Sequence, residues 1–233
     1  MAERPGVLER LRGGLIVSVQ AEAGSVLAAP GTIALLARCA VRNGAVGVRV
    51  EGTANIAATV AVVDVPVVGI TKRRHPGFEP YITSTYGEIE EIAHAGADIV
   101  AFDATMRPRP AGHDAAALIA HVRGRGLLAM ADCSEPVDAK AAVAGGADIV
   151  ATTLAGYTGA THGRSLPALD LVASIAARHP FAICEGGVAQ PHHLRAAFAA
   201  GASAVVVGTA ITNIDALARG FASAAPRATQ VLL

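Results

Sequence analysis

The chain of 233 residues has 19 Lys and Arg against 19 Asp and Glu, so its formal charge is zero. Neither nucleic acid nor an anionic lipid surface would attract such a chain over long range. Aromatic residues make up only 3% and Trp is absent, which removes the stacking surfaces that single-strand binders use. An apolar content of 52% is enough for a buried core, so the composition predicts a globular protein without nucleic-acid or membrane partners.

The cysteines and the N-terminal segment indicate the compartment. Cys39, Cys133 and Cys184 are odd in number, far apart and without CxxC spacing, so they predict neither a disulfide framework nor a metal site. Residues 1–14 carry charges along their length and lack the apolar run of a secretory signal. The uncharged stretch 196–214 is interrupted by Gly, Ser, Thr and Asn, and we interpret it as helix, turn and buried strand instead of a membrane span. We expect a cytoplasmic protein.

Short apolar runs rich in β-branched residues recur along the chain, each followed by a polar loop and an Ala-rich segment of helical period, the pattern of βα units. The predicted strands lie at 14–20, 45–50, 65–72, 99–104, 127–132, 149–154, 181–186 and 204–211. The predicted helices lie near 31–42, 53–63, 85–95, 114–124, 136–145, 168–178, 191–200 and 213–224. Because the strand runs are almost wholly apolar, both faces of a parallel sheet should be covered by helices or core.

An internal repeat supports the count of eight units. The segments NGAVGVRV at 43, AGADIVAFDA at 95, GGADIVATTL at 145 and AGASAVVVGT at 200 each place a Gly at a predicted helix end, before a buried strand. Four double units make eight strands, which predicts an α/β protein with a single (β/α)₈ TIM barrel domain spanning 1–233. An open doubly wound sheet is the alternative, but no GxGxxG follows the first strand and no Walker A sequence occurs.

Polar residues that end the predicted strands are the candidates for an active site, because a barrel builds its site at the carboxyl ends of its strands. They are Gln20, Arg49, Lys72, Asp103, Asp132, Thr152, Thr153 and Glu185. Lys72 is one of only two lysines beside 17 arginines, so solubility does not explain it. It either reaches solvent at the rim or lies in a low-dielectric pocket that lowers its pKa.

The other strand-end residues each have a structural and a functional interpretation. Glu185 ends an apolar run, where an unpaired carboxylate is costly, so we expect it to pair with Lys72, as a catalytic pair or as a structural ion pair. Asp132 and Arg49 either form an ion pair at the rim or contact a sugar. Asp103 is expected to hold the following loop. The turns EGG at 185 and VGTA at 207 either bind phosphate through backbone N–H groups or only cap the last two strands.

At these residues the chain resembles the N-acylglucosamine-6-phosphate 2-epimerase family, also called the N-acetylmannosamine-6-phosphate epimerase family. The resemblance runs through SVQA at 18, GAVGVRVEG at 44, PVVGITKR at 66, ITSTYGEI at 82, GADIVAFDAT at 96, LLAMADCS at 127, TTLAGYTG at 152, CEGG at 184 and VVVGTAIT at 205. It implies a (β/α)₈ enzyme that interconverts N-acetylmannosamine 6-phosphate and N-acetylglucosamine 6-phosphate in sialic acid catabolism without a cofactor. It also implies an oligomer, and we expect a homodimer that packs through the C-terminal segment 214–233.

The resemblance implies roles for particular residues. Lys72 of GITKR and Glu185 of CEGG would be the catalytic pair. The implied substrate contacts are Gln20, Arg49, Asp132, Thr152, Gly156 and Tyr157, and the implied phosphate contacts are Gly186, Gly187, Gly208 and Thr209. Two positions depart from the family pattern: Val19 replaces a common Cys, and Gly187 stands where many members have a basic residue. Phosphate binding would then depend more on backbone N–H groups.

The chemistry of such an epimerase follows from the sugar. A C2 proton becomes acidic only beside a carbonyl, so the ring must open and positive charge must stabilise an enediolate oxygen. Lys72 or Arg49 supplies that charge; Lys72 is the candidate base, and Glu185 either orients it or acts from the opposite face. The sequence leaves one base and two bases open. A Schiff-base aldolase in which Lys72 attacks a carbonyl and a non-catalytic sugar-phosphate sensor are the competing hypotheses.

Overall fold

A computed structural model describes residues 6–226 as eight parallel strands that close into a barrel in chain order. The strands are β1 (Leu15–Val19), β2 (Gly47–Glu51), β3 (Val67–Ile70), β4 (Ile99–Asp103), β5 (Leu128–Asp132), β6 (Ile149–Ala151), β7 (Ala182–Glu185) and β8 (Ala204–Val207). The helices are α1 (Val7–Leu11), α2 (Pro30–Arg42), α3 (Thr53–Val60), α4 (Tyr86–His94), α5 (Ala115–Gly124), α6 (Pro136–Ala144), α7 (Leu169–Ala176), α8 (Pro191–Ala199), α9 (Thr209–Thr212) and α10 (Ile214–Ser223). The predicted (β/α)₈ barrel is confirmed.

Strand residues alternate between the barrel interior and the layer beneath the helices, and both sets are apolar. The interior cluster includes Ile16, Ile70, Met130, Ile183 and Val206, all at most 1% exposed. A second cluster joins outward strand residues such as Val17 and Val50 to helix residues such as Ile89. The continuous apolar runs of the sequence follow from this double burial.

The short helix α1, which the sequence did not predict, closes the amino-terminal end of the barrel. Its Val7 and Leu11 belong to the interior cluster, and Leu11 is fully buried. Gly47 of β2 leaves room for this contact, since a Cβ there would lie 2.6 Å from Leu11 Cδ2. With this end filled, the barrel opens at the carboxyl ends of its strands.

The glycines of the internal repeat end alternate helices as predicted. Gly44, Gly96, Gly146 and Gly201 have φ values of 98, 91, 80 and 98°, a left-handed conformation that glycine adopts without a steric penalty. They follow α2, α4, α6 and α8 and precede β2, β4, β6 and β8. The repeat of two βα units is therefore confirmed.

Three strands, β3, β6 and β8, end at least two residues earlier than predicted. Lys72 follows β3 and forms an isolated antiparallel bridge with Ile82, and β6 ends before the predicted residues 152–154. After β8 the chain forms the helical turn α9, where Thr212 Oγ1 donates to the carbonyl oxygen of Ser18 at 2.7 Å. Short apolar runs fit a strand or a helical turn equally well, so the sequence did not show where the strand stops.

The uncharged stretch 196–214 contains the end of α8, the buried strand β8 and the turn α9, so it is not one long helix. Its interpretation as helix, turn and buried strand is confirmed. In residues 6–226 no helix has the length and apolarity needed to cross a bilayer.

Candidate active site

The carboxyl ends of the strands surround a cavity of about 930 Å³. The predicted site residues in its wall are Gln20, Arg49, Lys72, Thr153, Tyr157, Glu185, Gly186, Gly187, Gly208 and Thr209. The last four come from the turns after β7 and β8, and the others lie within or follow β1, β2, β3, β6 and β7. The fold thus brings together residues up to 189 positions apart in sequence.

Strand alternation explains why these side chains reach the cavity. Four pairs, each separated by two positions, are Ile70 and Lys72, Met130 and Asp132, Ala151 and Thr153, and Ile183 and Glu185. Even spacing keeps both members of a pair on the same face of a strand, so the first fills the interior and the second begins the site. Thr152 has the opposite parity, and its hydroxyl donates to the carbonyl of Glu185 at 2.9 Å and accepts its N–H at 3.1 Å.

Within residues 6–226, three of the predicted substrate contacts do not line the cavity. Asp132 is fully buried against Arg49, and Thr152 holds the backbone of Glu185. Gly156 has a φ of 85°, and a Cβ at this position would lie 3.3 Å from Leu166 Cδ1. Each of these residues contacts protein and supports the wall, and its direct contact with a sugar stays a prediction.

Arg49 lies at the centre of the buried charges. Its Nη1 and Nη2 donate to Asp132 Oδ1 and Oδ2 at 3.1 and 2.7 Å, and Nη1 lies 3.0 Å from Glu185 Oε2. Arg49 and Asp132 are 1% and 0% exposed, so the ion pair expected at the rim is instead buried. Burial alone would lower the pKa of Arg49, but the two carboxylates outweigh it and raise the pKa, which keeps the guanidinium charged.

Glu185 pairs with Arg49, so the predicted ion pair with Lys72 is wrong. The physical reason is the barrel itself: β3 and β7 are four strands apart in either direction around it, whereas the long Arg49 side chain reaches the space between them. Burial raises the pKa of Glu185; Arg49 opposes this shift and the charge of Asp132 adds to it. The carboxyl therefore keeps its proton at a pH where an exposed glutamate has lost it.

Lys72 stands on the β3 side of the cavity. Its backbone N–H donates to Glu51 Oε1 at 3.3 Å. Its antiparallel bridge with Ile82 joins the two ends of the loop 72–82. Water reaches the side chain through the open cavity, but the surrounding protein removes part of its hydration. This partial desolvation, followed by the charge of Arg49, lowers the pKa of Lys72, and the charges of Glu51, Glu185 and Asp132 oppose the shift.

The glycine turns after the neighbouring strands β7 and β8 form another part of the wall. In the described part of the chain, no backbone acceptor is found for the N–H groups of Gly186, Gly187, Gly208 and Thr209, so they are available to an anion. A side chain at 187 has no room, because its Cβ would lie 2.2 Å from Leu166 Cβ. Leu166 occupies the space that the first atoms of a basic side chain at position 187 would need.

Several wall and rim residues escaped the sequence analysis. They are Ser18, Glu22, Tyr81, Asn213 and Arg219. Ser18 had a signal, since it stands two positions before Gln20, and its Oγ lies 2.7 Å from Gln20 Nε2. Glu22 accepts from Asn213 Nδ2 at 3.1 Å and pairs with Arg219 at 2.7 Å. These contacts depend on the paths of loops, for which the sequence holds no periodic signal.

Asp103 holds the loop after β4. Its Oδ1 accepts from the N–H and hydroxyl of Thr105 at 3.0 and 2.6 Å, and its Oδ2 pairs with Arg107 at 2.6 Å. The expected structural role is confirmed. Among the residues described, no three carboxylate, imidazole or thiol groups converge as metal ligands.

Comparisons with known proteins extend over nearly the whole chain. Residues 33–227 match a family model described as "Putative N-acetylmannosamine-6-phosphate epimerase". A relative from Synechococcus elongatus named "Putative N-acetylmannosamine-6-phosphate 2-epimerase" is 46% identical over 226 residues, covering 95% of this chain and 97% of the relative. A relative of the same name from Escherichia coli is 41% identical over 216 residues, covering 93% of each. The solved N-acetylmannosamine-6-phosphate 2-epimerase of Clostridium perfringens superposes with a TM-score of 0.91 at 31% identity, covering 97% of this chain and 99% of that one.

Proposed function

The chain belongs to the N-acetylmannosamine-6-phosphate epimerase family, and we propose that Lys72 and Glu185 are the groups that move the proton in its reaction. That reaction interconverts N-acetylmannosamine 6-phosphate and N-acetylglucosamine 6-phosphate by inversion at C2, a step of sialic acid catabolism. The observation that carries the assignment of roles is the position of the two side chains after opposite strands, β3 and β7, in the wall of one cavity.

Inversion at C2 needs a proton to leave from one face and to return to the other. In the open-chain aldehyde, the neutral amine of Lys72 takes the C2 proton and becomes an ammonium, while the electron pair of the C–H bond forms a C1–C2 double bond and the C1 carbonyl becomes an enolate oxygen. Glu185 then gives its proton to the opposite face of C2 and becomes a carboxylate. The reverse direction uses the same groups in the opposite order, and proton exchange with water in the open cavity restores the starting state.

The electrostatics of the site suit these roles. The lowered pKa of Lys72 makes the neutral amine accessible, and the raised pKa of Glu185 keeps an acid available. The two shifts bring the proton affinities of the groups towards each other, which favours transfer in both directions. Arg49 provides a fixed, buried positive charge for the enolate oxygen on C1, and Asp132 holds the guanidinium in place before the substrate arrives.

We assign the 6-phosphate to the glycine turns. Gly186, Gly187, Gly208 and Thr209 line the cavity, and within residues 6–226 their N–H groups have no backbone acceptor. Backbone N–H groups in such turns bind phosphate in many barrels. We assign the sugar contacts to Gln20, Arg49, Asp132, Thr152, Gly156 and Tyr157. The phosphate supplies binding energy remote from C2, so unphosphorylated sugars should be poor substrates.

A coupled assay with the purified protein tests the function. N-acetylmannosamine 6-phosphate should turn over, and N-acetylmannosamine should give a much lower kcat/KM; equal values would reject the phosphate assignment, and no turnover would reject the function. Borohydride with substrate present should leave Lys72 unlabelled, because labelling would indicate the Schiff base of an aldolase.

The isotope content of the product in heavy water separates two bases from one. With two bases, each product molecule receives deuterium at C2 from Glu185, and the remaining substrate stays unlabelled early in the reaction. A single base that returns the abstracted proton would leave protium in part of the product. Substantial internal return of protium would overturn the two-base mechanism.

We further propose a homodimer that packs through α10. None of the residues of α10 is buried, and Ile214, Leu217 and Phe221, spaced three and four apart on one face, are 51, 36 and 79% exposed. A second copy would cover this face, which is costly to leave in water. Residues 227–233, the rest of the predicted interface, lie outside the described residues. A monomeric mass by light scattering at micromolar concentration would reject the dimer.

The compartment and the domain organisation complete the proposal. Cys39, Cys133 and Cys184 are free thiols, which suits the reducing cytoplasm, and we place the enzyme there. We propose that residues 1–233 form one domain with a small sugar phosphate as its ligand and no cofactor. Limited proteolysis that released a stable internal fragment would contradict the single domain.

A further inference from the structure

Thr153 lies between the two buried carboxyl groups of the site. Its Oγ1 is 2.7 Å from Asp132 Oδ1 and 3.0 Å from Glu185 Oε2, both hydrogen-bonding distances. Thr153 also lines the cavity, because it continues the inward parity of Ala151 beyond the end of β6. Three side chains thus form a row of oxygen atoms: carboxyl, hydroxyl, carboxyl.

The number of hydrogens in this row is limited. A hydroxyl carries one hydrogen and donates it once, so two ionised carboxylates would leave one contact with lone pairs facing each other. Asp132 is the ionised member, since Arg49 donates to both of its oxygens. The second hydrogen then belongs to Glu185, which faces only one nitrogen of Arg49. In the resting site Thr153 donates to Asp132 and accepts from Glu185.

We propose that Thr153 is a positioning residue whose hydroxyl turns between Asp132 and Glu185 as Glu185 loses and regains its proton. The inference rests on the proposed function, since that proton is the one delivered to C2. When the O–H bond of Glu185 breaks towards C2, its electron pair stays on the carboxylate, and the Thr153 hydroxyl turns to donate to this new charge. Asp132 keeps its two bonds from Arg49. Thr153 therefore holds the Glu185 side chain in the same position in both protonation states.

The hydroxyl affects the two states of Glu185 unequally. A hydrogen bond donated to a charged carboxylate is stronger than one accepted from a neutral acid, so Thr153 favours the ionised form and lowers the pKa of Glu185 against burial. Removal of the hydroxyl should raise that pKa further. Thr153→Val keeps the shape without the hydroxyl, and Thr153→Ser keeps the hydroxyl without the methyl group, so the two variants form a matched pair.

A titration of Glu185 tests the inference without any need for turnover. Protein labelled with ¹³C at the glutamate carboxyl carbon is titrated by NMR, and the Glu185 signal is identified by its loss in Glu185→Gln. Thr153→Val should raise the midpoint by about one pH unit, and Thr153→Ser should stay near the wild type. An unchanged midpoint in Thr153→Val, or an equal shift in both variants, would overturn the inference. Thr153→Ala, which also lacks the hydroxyl, should repeat the shift and replaces the valine variant if that variant does not fold.

Kinetics provide the second readout. In the plot of kcat/KM against pH, the limb that reports the titration of Glu185 should move to higher pH in Thr153→Val, by the same amount as the NMR midpoint. In the same variant kcat should fall about tenfold while KM changes little. A fall in kcat with an unmoved limb would show a purely structural role and overturn the inference. If the wild type had no epimerase activity, the proposed function would fail, but the titration would still decide the role of Thr153.

Discussion

Two parts of the cavity wall present polar groups by opposite means. The part that we propose for proton transfer at C2 uses side chains, with Arg49 between the carboxyl groups of Asp132 and Glu185. At the glycine turns it offers backbone N–H groups, and Leu166 fills the space where a side chain at 187 would begin. Proton transfer needs groups whose pKa the surroundings can change, and only side chains have such groups. Phosphate binding needs only fixed donors, which the backbone supplies.

This difference predicts how substitutions in each part of the wall should affect the protein. The side-chain part depends on a few charges whose loss changes the rate with little change in the backbone. The glycine part depends on space and φ angles, so a substitution there should damage packing and phosphate binding together. Variants in the two parts should therefore separate effects on kcat from effects on KM.

The largest effect should come from Lys72→Ala. Loss of a general base costs on the order of 10² to 10⁴ in rate, while substrate binding should stay within about tenfold. Lys72→Arg should not restore turnover, because the guanidinium stays protonated at any working pH. Exchange of deuterium into C2 should slow in parallel with epimerisation; near-native exchange in Lys72→Ala would remove Lys72 from proton transfer.

Asp132→Asn should show that the buried charges also carry stability. Removing one member of a buried ion pair costs up to roughly 3 to 5 kcal/mol in free energy of unfolding, and Glu185, which also contacts Arg49, should offset part of this loss. Loss of the neighbouring negative charge should also lower the pKa of Glu185. Urea denaturation measures the first effect, with Glu9→Gln as control, because the exposed Glu9 and Arg12 pair should contribute less than about 1 kcal/mol. Equal losses in the two variants would contradict the burial argument.

Gly187→Ala should break the glycine part of the wall. Its φ of 71° strains any side chain, and its Cβ would meet Leu166, so we expect a loss of about 1 to 3 kcal/mol in free energy of unfolding and a raised KM. Gly13→Ala is a matched control, because Gly13 has a φ of 72° but nothing within 4 Å of its Cβ. The difference between the variants isolates the Leu166 contact, and equal stability losses would show that only the φ angle matters.

The smallest effect concerns pH and Lys72. Folding lowers the pKa of this lysine below its ordinary value of 10.5, so the folded state binds the proton less tightly than the unfolded state. The free energy of unfolding therefore rises with pH between the lowered pKa of the folded state and 10.5. Lys72→Met should therefore be more stable than the wild type at neutral pH, and this advantage should shrink as pH approaches 10.5. Lys140→Met removes a lysine from the outer surface of α6 as the control. An advantage that stayed constant with pH would show that the lost charge is not its cause.

The sequence by itself determined the barrel and which polar side chains stand at its mouth. Apolar runs alternating with helical periodicity, together with Gly44, Gly96, Gly146 and Gly201 at helix ends, encode eight βα units because each signal is local to one unit. A polar residue two positions after an inward apolar residue marks a side chain at the mouth of the barrel. This local rule places Lys72 and Glu185 in the cavity wall without knowledge of any neighbour.

Only the tertiary structure decided which of these groups contact each other. Glu185 pairs with Arg49 instead of Lys72, Thr153 and not Thr152 enters the cavity, and Leu166 closes the space beside Gly187. Each of these contacts joins residues from different strands or loops. Their distances depend on the closure of the barrel and on how far a side chain reaches across it, and no periodic pattern within one segment encodes either quantity.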